Sequence, residues 1–460
     1  MTRYPWHMAL PEILTLALLA GAAFLFNFTS ARRLALPSVL LAGTALFLDL
    51  WYRGPAFQLV PAVVAWILLS ARAPWATDQS PRFLTSYTAL SLLSTSLGLL
   101  ILLPFFKLPQ PTGPYSVGTR TLHWVDSSRN LDGSPATPGK APRELAIQLW
   151  YPAADHDNCS LARYVQRAEV KPIKWYWAGI RTNSWQDAPV AARSAPFPIL
   201  VYGHSWGSRR TVDTFLAEDL ASHGYVVVAL DHPLNSERMQ RADGSIVRTD
   251  RADALGNVQA TTAPALESLW NHELDRWVAD DSFVLDGLER ANNDPTGWLT
   301  HRLDFSRVGA FGHSFGGAAS LALLGRDPRV KAGVNFDGWV FGGIDHRTHQ
   351  PILTVYGGEP PVTPNKGVEG ILDHDDTTGI DTSMSRYGGI EAFVTGAYHQ
   401  DFTDETLVSP FRRITYTGPI GGERIRLITR EMLLAFFNRS LRGNSQPLPK
   451  FPEVRIVAKP

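Results

Sequence analysis

Ser314 stands at the centre of Gly312-His313-Ser314-Phe315-Gly316-Gly317-Ala318, a run whose residue types suit nucleophilic attack on a carbonyl. An apolar stretch, Val308 to Phe311, precedes it and a small-residue stretch follows. The pattern predicts a strand, a sharp turn and a helix. A serine at such a turn is held exposed and strained, and only small neighbours leave room for it. Gly312, Gly316 and Gly317 supply that room because they lack a Cβ. The hydroxyl then attacks once a base takes its proton.

The base is sought downstream, because sheets of this kind carry their catalytic groups in the order serine, acid, histidine. His399, in Gly396-Ala397-Tyr398-His399-Gln400-Asp401-Phe402, follows the last predicted strand, where an imidazole can swing over the sheet toward the serine. His346, His349 and His374 fall in polar loops between earlier strands and read as solvated side chains. The acid has two candidates. Asp337 follows the strand ending at Phe336, and Glu359 follows the next strand, just past Gly357-Gly358. Both lie at carboxyl ends of strands, where active-site groups collect in open α/β sheets. Position alone leaves both open.

A second match to the same serine pattern, Gly203-His204-Ser205-Trp206-Gly207, follows the strand Pro198 to Tyr202. It lies two strands ahead of the Ser314 turn, where the loop supplying an oxyanion donor is expected. Ser205 therefore reads as a loop residue. The backbone N–H groups of Trp206 and Phe315 read as the pair that would hold the oxyanion, each worth about 10²–10³ in rate.

The elements that position these groups follow from the pattern after residue 114. Strands are predicted at Glu144 to Pro152, Pro198 to Tyr202, Tyr225 to Asp231, Arg307 to Phe311, Ala332 to Phe336, Pro351 to Tyr356 and Glu391 to Thr395. Helical patterns lie between several of them, at Ser208 to Ser222 and from Ala319 to Leu324 onward. Such alternation implies a mostly parallel sheet covered by helices on both faces. Two insertions interrupt it. In 232–300, Leu266, Leu269, Trp270, Leu274, Trp277, Val278 and Leu285 recur at helical spacing and predict an amphipathic helix packed on the sheet. In 153–196, Trp175, Trp177 and Trp185 show no period; an acyl pocket, a bilayer contact and ordinary packing all fit them.

The first 107 residues differ in kind. No charged side chain occurs from Ile13 to Ala31, from Gly54 to Ala71 or from Phe83 to Phe106, and Leu34 to Leu48 is a shorter apolar run. A helix that crosses a bilayer needs about 20 mostly apolar residues. These runs predict a bundle of about four transmembrane helices, 10–30, 34–52, 54–71 and 83–106, with three as the fallback. Leu108-Pro109-Gln110-Pro111-Thr112-Gly113-Pro114 reads as a stiff linker, so the expected division is a membrane region, 1–107, and a catalytic domain, 108–460. Arg32, Arg33, Arg72 and Arg82 fall in the first and third loops, against Arg3, Arg53 and Lys107 on the other side. Cytoplasmic loops favour Lys and Arg, which places the catalytic domain outside the cytoplasm.

Acidic and basic side chains balance at 43 each over 460 residues, so no net field favours nucleic acid. The single cysteine, Cys159, excludes an intrachain disulfide and a thiolate metal cage. Asp373, His374, Asp375 and Asp376 lack the ligand spacing of a calcium loop.

Residues 113–440 resemble the platelet-activating factor acetylhydrolase family, of the plasma lipoprotein-associated type. The resemblance is carried by Gly113-Pro114-Tyr115-Ser116-Val117-Gly118, Leu149-Trp150-Tyr151-Pro152, Gly203-His204 with Trp206-Gly207, the Ser314 heptad, Asp337-Gly338-Trp339 and Tyr398-His399-Gln400-Asp401-Phe402. Ser205 stands where the family has glycine. The resemblance implies an α/β-hydrolase fold, a triad of Ser314, Asp337 and His399, and backbone donors at Trp206 and Phe315. It also implies removal of short or oxidised acyl chains from the sn-2 position of phospholipids, without calcium.

Residues and resemblance together predict a membrane-tethered serine ester hydrolase acting through an acyl-Ser314 intermediate, with a lipid or ester substrate and the bilayer as partners and no metal or organic cofactor. Two other readings fit the same residues: an esterase of small soluble esters or polyesters, and a membrane sensor whose hydrolase-like domain only binds ligand.

Overall fold

A computed structural model describes residues 10–27, 32–53, 56–72, 82–154, 156–192, 195–249, 263–339, 350–358 and 389–459. The chain divides into two compact units. One comprises Met1–Leu108 with Arg163–Thr182 and Leu407–Thr415; the other comprises Pro109–Ala162, Asn183–Thr406 and Tyr416–Pro460.

In the first unit all four apolar runs are helical: α1 (Leu10–Leu25), α2 (Arg32–Arg53), α3 (Val60–Arg72) and α4 (Arg82–Leu102). Buried and half-buried polar groups join them. Trp66 Nε1 donates to the Val39 carbonyl at 3.0 Å, the Ala62 N–H donates to Ser96 Oγ at 2.9 Å, and Gln58 Nε2 donates to the Leu103 carbonyl at 2.8 Å. Trp66 lies so close to α2 that a Cβ on Gly43 would meet its ring at 2.7 Å. Two helices hold apolar stretches long enough to cross a bilayer, Leu34–Trp51 and Leu84–Leu102. The other two, Glu12–Leu25 and Phe57–Ala71, are shorter. Four spans were expected from composition. The difference lies in helix length: α1 ends at Leu25, and Phe57–Leu59 forms a 3-10 turn ahead of α3. At 1.5 Å per residue, the 16 and 13 helical residues among those described fall short of a core about 30 Å thick.

The second unit is built on a sheet with strand order β13-β12-β11-β10-β9-β5-β6-β2-β1-β4-β3. The central strands, β5 (Phe197–Gly203), β6 (Val226–Asp231), β9 (Leu303–His313), β10 (Val330–Phe336), β11 (Ile352–Gly357) and β12 (Gly389–Val394), run parallel to their neighbours. Antiparallel strands flank them: β1 (Ser116–Asn130) and β2 (Pro142–Ala153) on one side, β13 (Val454–Lys459) on the other. β3 (Leu161–Arg163) and β4 (Arg181–Gln186) complete the order, and a separate hairpin pairs β7 (Arg238–Gln240) with β8 (Ile246–Arg248).

Side chains alternate across a strand, so each central strand feeds two cores. Phe197, Ile199 and Val201 of β5 share a cluster with Val308 and Ala310 of β9 and with Trp270, Leu274, Trp277 and Leu285 of the helix Ala263–Asn293. Tyr202 and Phe311, on the alternate positions, face the other way with rings 5.1 Å apart. There Phe311 meets Phe437 of the helix Gly422–Arg442 at 6.1 Å. The predicted strands are all present within a few residues. The helix expected from Ser208 begins only at Thr214, because Arg209 and Arg210 are drawn into ion pairs with Glu237 and Asp231.

Candidate active site

The sequence places a glycine at each point where backbone must approach backbone, and those points surround Ser314. Ser314 leaves β9 with φ 57 and ψ −124, and the helix Phe315–Arg326 begins at the next residue. A left-handed φ costs a non-glycine residue of the order of 1–3 kcal/mol and persists only where the surroundings enforce it. Here the Ser314 N–H donates to the Phe336 carbonyl of β10 at 2.8 Å. A Cβ on Gly316 would lie 2.1 Å from the Gly203 carbonyl oxygen, and one on Gly312 would lie 2.3 Å from that of Gly316. The turn therefore packs directly on the end of β5.

Asp337 repeats this geometry one strand over. It leaves β10 with φ 52, and its N–H donates to the Val355 carbonyl of β11 at 2.8 Å. Asn335, wholly buried, closes the turn: Oδ1 accepts from the Gly338 N–H at 3.0 Å, and Nδ2 donates to the Gly338 carbonyl at 2.7 Å. Gly338 has no room for a side chain, since a Cβ would lie 2.0 Å from the Ser314 carbonyl oxygen. The Ser314 and Asp337 turns thus touch.

The Asp337 carboxylate makes two bonds. Oδ1 accepts from the Gly357 N–H at 2.8 Å, and Oδ2 lies 2.6 Å from His399 Nδ1. An ionised carboxylate only accepts, so Nδ1 carries the proton and Nε2 keeps the lone pair a general base needs. His399 is 45% exposed and Asp337 17%, so the imidazole faces the side open to a substrate.

The His399 loop is tied to the serine strand. His313 Nε2 donates to the His399 carbonyl at 2.8 Å, with the rings 4.4 Å apart. Burial, then the neighbouring His399, holds the His313 imidazole well below its ordinary range, and it donates as a neutral ring. Asp401 Oδ2 accepts from the Tyr398 N–H at 2.7 Å and the Gly418 N–H at 2.6 Å, pinning both sides of the loop.

Ser205 lies in the loop after β5. It is absent from the residues with positive φ; the left-handed residue of that loop is Gly207, at φ 70. A glycine is therefore not demanded at 205. The Gly207 N–H donates to the Asn235 carbonyl at 2.8 Å. The Trp206 ring stands edge-on to Phe315 at 4.9 Å, and the Trp206 N–H donates to no protein acceptor among the described residues. Trp277 packs against both, 6.3 Å from Trp206 and 4.9 Å from Phe315.

Among the sequence-predicted residues, Ser314, Asp337 and His399 thus fall on three linked turns, and Trp206 and Phe315 pack together beside them. Glu359, His346, His349, His374 and the acidic cluster around residue 374 lie outside the described residues. The tryptophans of the 153–196 insertion take different places: Trp177 is buried, Trp175 is half-exposed beside Arg167, and Trp185 stacks on His156 at 4.2 Å. The sequence assigned no role to the supports: Asn335 went unremarked, and His313, Gly338 and Asp401 stood only as members of the motifs quoted above. Gly338 carried a usable signal, a glycine directly after an acid at a strand end.

A sequence model of the family described as platelet-activating factor acetylhydrolase, isoform II, matches residues 102–248 and 292–444. A protein of Arthroderma benhamiae named "Probable 1-alkyl-2-acetylglycerophosphocholine esterase" is 27% identical over 259 residues, covering 52% of this chain and 60% of that protein. The platelet-activating factor acetylhydrolase of Canis lupus familiaris is 23% identical over 272 residues, covering 54% and 60%. The matched region thus spans about three-fifths of each relative's length. Among solved structures, a ferulic acid esterase from Streptomyces cinnamoneus superposes with a TM-score of 0.60 at 26% identity, covering 76% of this chain and 98% of that one.

Proposed function

Because the chain belongs to the platelet-activating factor acetylhydrolase isoform II family, we propose that it is a serine carboxylic-ester hydrolase that removes short or modified acyl groups from the sn-2 position of phospholipids. The observation that carries this reading is the 2.6 Å contact between His399 Nδ1 and Asp337 Oδ2, on a turn that touches a left-handed Ser314.

His399 Nε2 takes the Ser314 proton as the oxygen attacks the ester carbonyl. Asp337 holds the imidazole in the required tautomer and offsets its charge as imidazolium. The N–H groups of Trp206 and Phe315 receive the oxyanion. The alcohol, a lysophospholipid in this reading, leaves with the proton from His399. Water then attacks the acyl-Ser314 ester with His399 again as base, releasing the acid and restoring the serine.

The proposal extends to the whole chain: a membrane region, 1–107, of four helices tethers a catalytic domain, 108–460, outside the cytoplasm. A tether suits a substrate that already lies in the bilayer surface. A second reading, an esterase of smaller or aromatic esters, is favoured by one observation: Trp206, Trp277 and Phe315 form an aromatic wall beside the serine turn.

A fluorophosphonate probe tests the nucleophile. Wild-type protein and Ser205→Ala should label and Ser314→Ala should not, with turnover falling by several orders of magnitude in Ser314→Ala alone. Labelling that survives Ser314→Ala sinks the assignment. Comparing sn-2 acetyl phospholipids in vesicles with water-soluble aryl esters separates the two enzyme readings.

A further inference from the structure

The loop that carries Trp206 is held by a histidine that the mechanism above does not use. His204 is wholly buried at the end of β5. Its Nδ1 lies 2.7 Å from the carbonyl oxygen of Ser205, and its Nε2 lies 2.9 Å from Ser236 Oγ. A carbonyl oxygen only accepts, so Nδ1 must carry the proton. Burial, followed by the nearby His232, brings the His204 imidazole down to about 4, so the ring is neutral. Its Nε2 is then an acceptor, and the Ser236 hydroxyl is its donor. The ring itself is fixed by packing: Trp277 stands edge-on to it at 4.9 Å, and His232 lies 5.5 Å away. His232 in turn stacks on Trp277 at 3.7 Å and bonds Asp280 at 2.9 Å.

The consequence comes from peptide planarity. The Ser205 carbonyl and the Trp206 N–H belong to one peptide unit. In a trans peptide the oxygen and the hydrogen point to opposite sides of one plane. Pinning the Ser205 oxygen toward the buried His204 ring turns the Trp206 N–H the other way. That N–H meets no protein acceptor among the described residues. The next peptide is held separately, by the Gly207 N–H on the Asn235 carbonyl. The Ser205 oxygen also accepts the Ser208 N–H at 2.9 Å, so the plane between residues 205 and 206 is held by that turn bond together with His204.

We propose that His204 is a positioning residue for ester hydrolysis: anchored at Nε2 by the Ser236 hydroxyl, it helps hold the Ser205–Trp206 peptide plane so that the Trp206 N–H meets the substrate oxyanion. The inference rests on the serine-esterase reading. It predicts a fault confined to oxyanion stabilisation, which a change of substrate atom can read. A thionoester places sulfur, a poor hydrogen-bond acceptor, where the ester places oxygen.

The test uses the full chain with p-nitrophenyl acetate and its thiono analogue. His204→Leu should lower kcat on the oxygen ester by about 10²-fold, the loss typical of one oxyanion donor, with KM within about threefold. The thionoester should lose less than about tenfold, so the oxygen-over-sulfur preference falls. Asn places its Nδ2 near the position of the histidine Nδ1 and keeps the donor. His204→Asn should accordingly recover kcat to within about tenfold of the parent. Ser236→Ala removes the hydroxyl that anchors the ring at Nε2 and should lower the oxygen-over-sulfur preference at least about threefold. That variant carries the test if His204→Leu does not fold. An unchanged preference in Ser236→Ala, equal losses on the two substrates in a folded His204→Leu, or a His204→Asn no better than His204→Leu would each overturn the proposal. A parent enzyme inert toward both esters would overturn the esterase reading as well, whereas an active parent with unaltered variants overturns this inference alone.

Discussion

The acid is where residue-scale reasoning separates two candidates most sharply. Asp337 is joined to His399 at 2.6 Å and is held by the Gly357 N–H on its other oxygen. An amide in its place would preserve the shape while favouring the wrong imidazole tautomer. Asp337→Asn should therefore lower kcat by about four orders of magnitude in a folded protein. Glu359→Gln should cost about tenfold or less, as expected of a group outside the proton path. Steady-state kinetics on the two variants decides the matter; equal losses, or a larger loss in Glu359→Gln, would move the acid to Glu359. The sharp turn at Ser314 and the place of His399 after the Gly389–Val394 strand were legible in the sequence, because a glycine-flanked serine and a histidine past a strand end are strong local signals. The supports were not. Asn335 read as an ordinary strand residue, although its bonds are local to Gly338; His313 read as part of the serine turn, and only the approach of the His399 loop gives its side chain a partner.

At the scale of elements, the central parallel strands were legible because strands buried on both faces read as continuous apolar runs. β1 was missed for the complementary reason. Its Arg120, His123, Asp126 and Arg129 break the apolar pattern, and its pairing with β2 is a long-range fact. Some of those polar residues feed a buried ion network that clamps the long helix to the sheet. Arg143 of β2 grips Asp280 of the helix Ala263–Asn293 bidentately, at 2.7 and 2.6 Å, and Arg129 and His232 each reach the same carboxylate at 2.9 Å. Burial pushes the Asp280 carboxyl up. The charge and hydrogen bonds of Arg143, with those of His232, outweigh that and hold it well below the usual carboxylate range. A depressed folded value stabilises the native state above the unfolded value, near 4, and the contribution is lost as pH falls through the folded value. Asp280→Asn strands a buried guanidinium and should cost about 3–5 kcal/mol at pH 7. The gap between parent and variant should narrow below about pH 4, because only the parent has that carboxylate to protonate. Denaturant unfolding of the detergent-solubilised full chain at pH 7 and pH 3 measures it. A gap that stays constant would show that Asp280 stabilises the fold by packing rather than by charge.

For the whole molecule, the sequence located the apolar N-terminal runs but not how far each helix extends, since composition cannot see where a helix stops. If these helices cross a bilayer, that length decides which side the catalytic unit occupies. If all four helices cross, Arg32, Arg33, Arg72 and Arg82 share one side, against Arg3, Arg53 and Lys107 on the other. The side richer in Arg and Lys is cytoplasmic, so residues beyond Lys107 lie outside. If only α2 and α4 cross, Arg3, Arg32, Arg33 and Lys107 share a side, against Arg53, Arg72 and Arg82. The same rule then puts the catalytic unit in the cytoplasm. Both topologies keep the two ends of the membrane region together, and each has a margin of four against three. We expect the four-helix case. α1 and α3 are as apolar as the longer pair, and a bilayer can thin around short helices at a cost of fractions of a kcal/mol per Å. A C-terminal alkaline phosphatase fusion, active only outside the cytoplasm, should accordingly be active, and a C-terminal fluorescent protein that folds only inside should stay dark. The reverse pair of results would select the two-helix topology and move the substrate to the cytoplasmic leaflet.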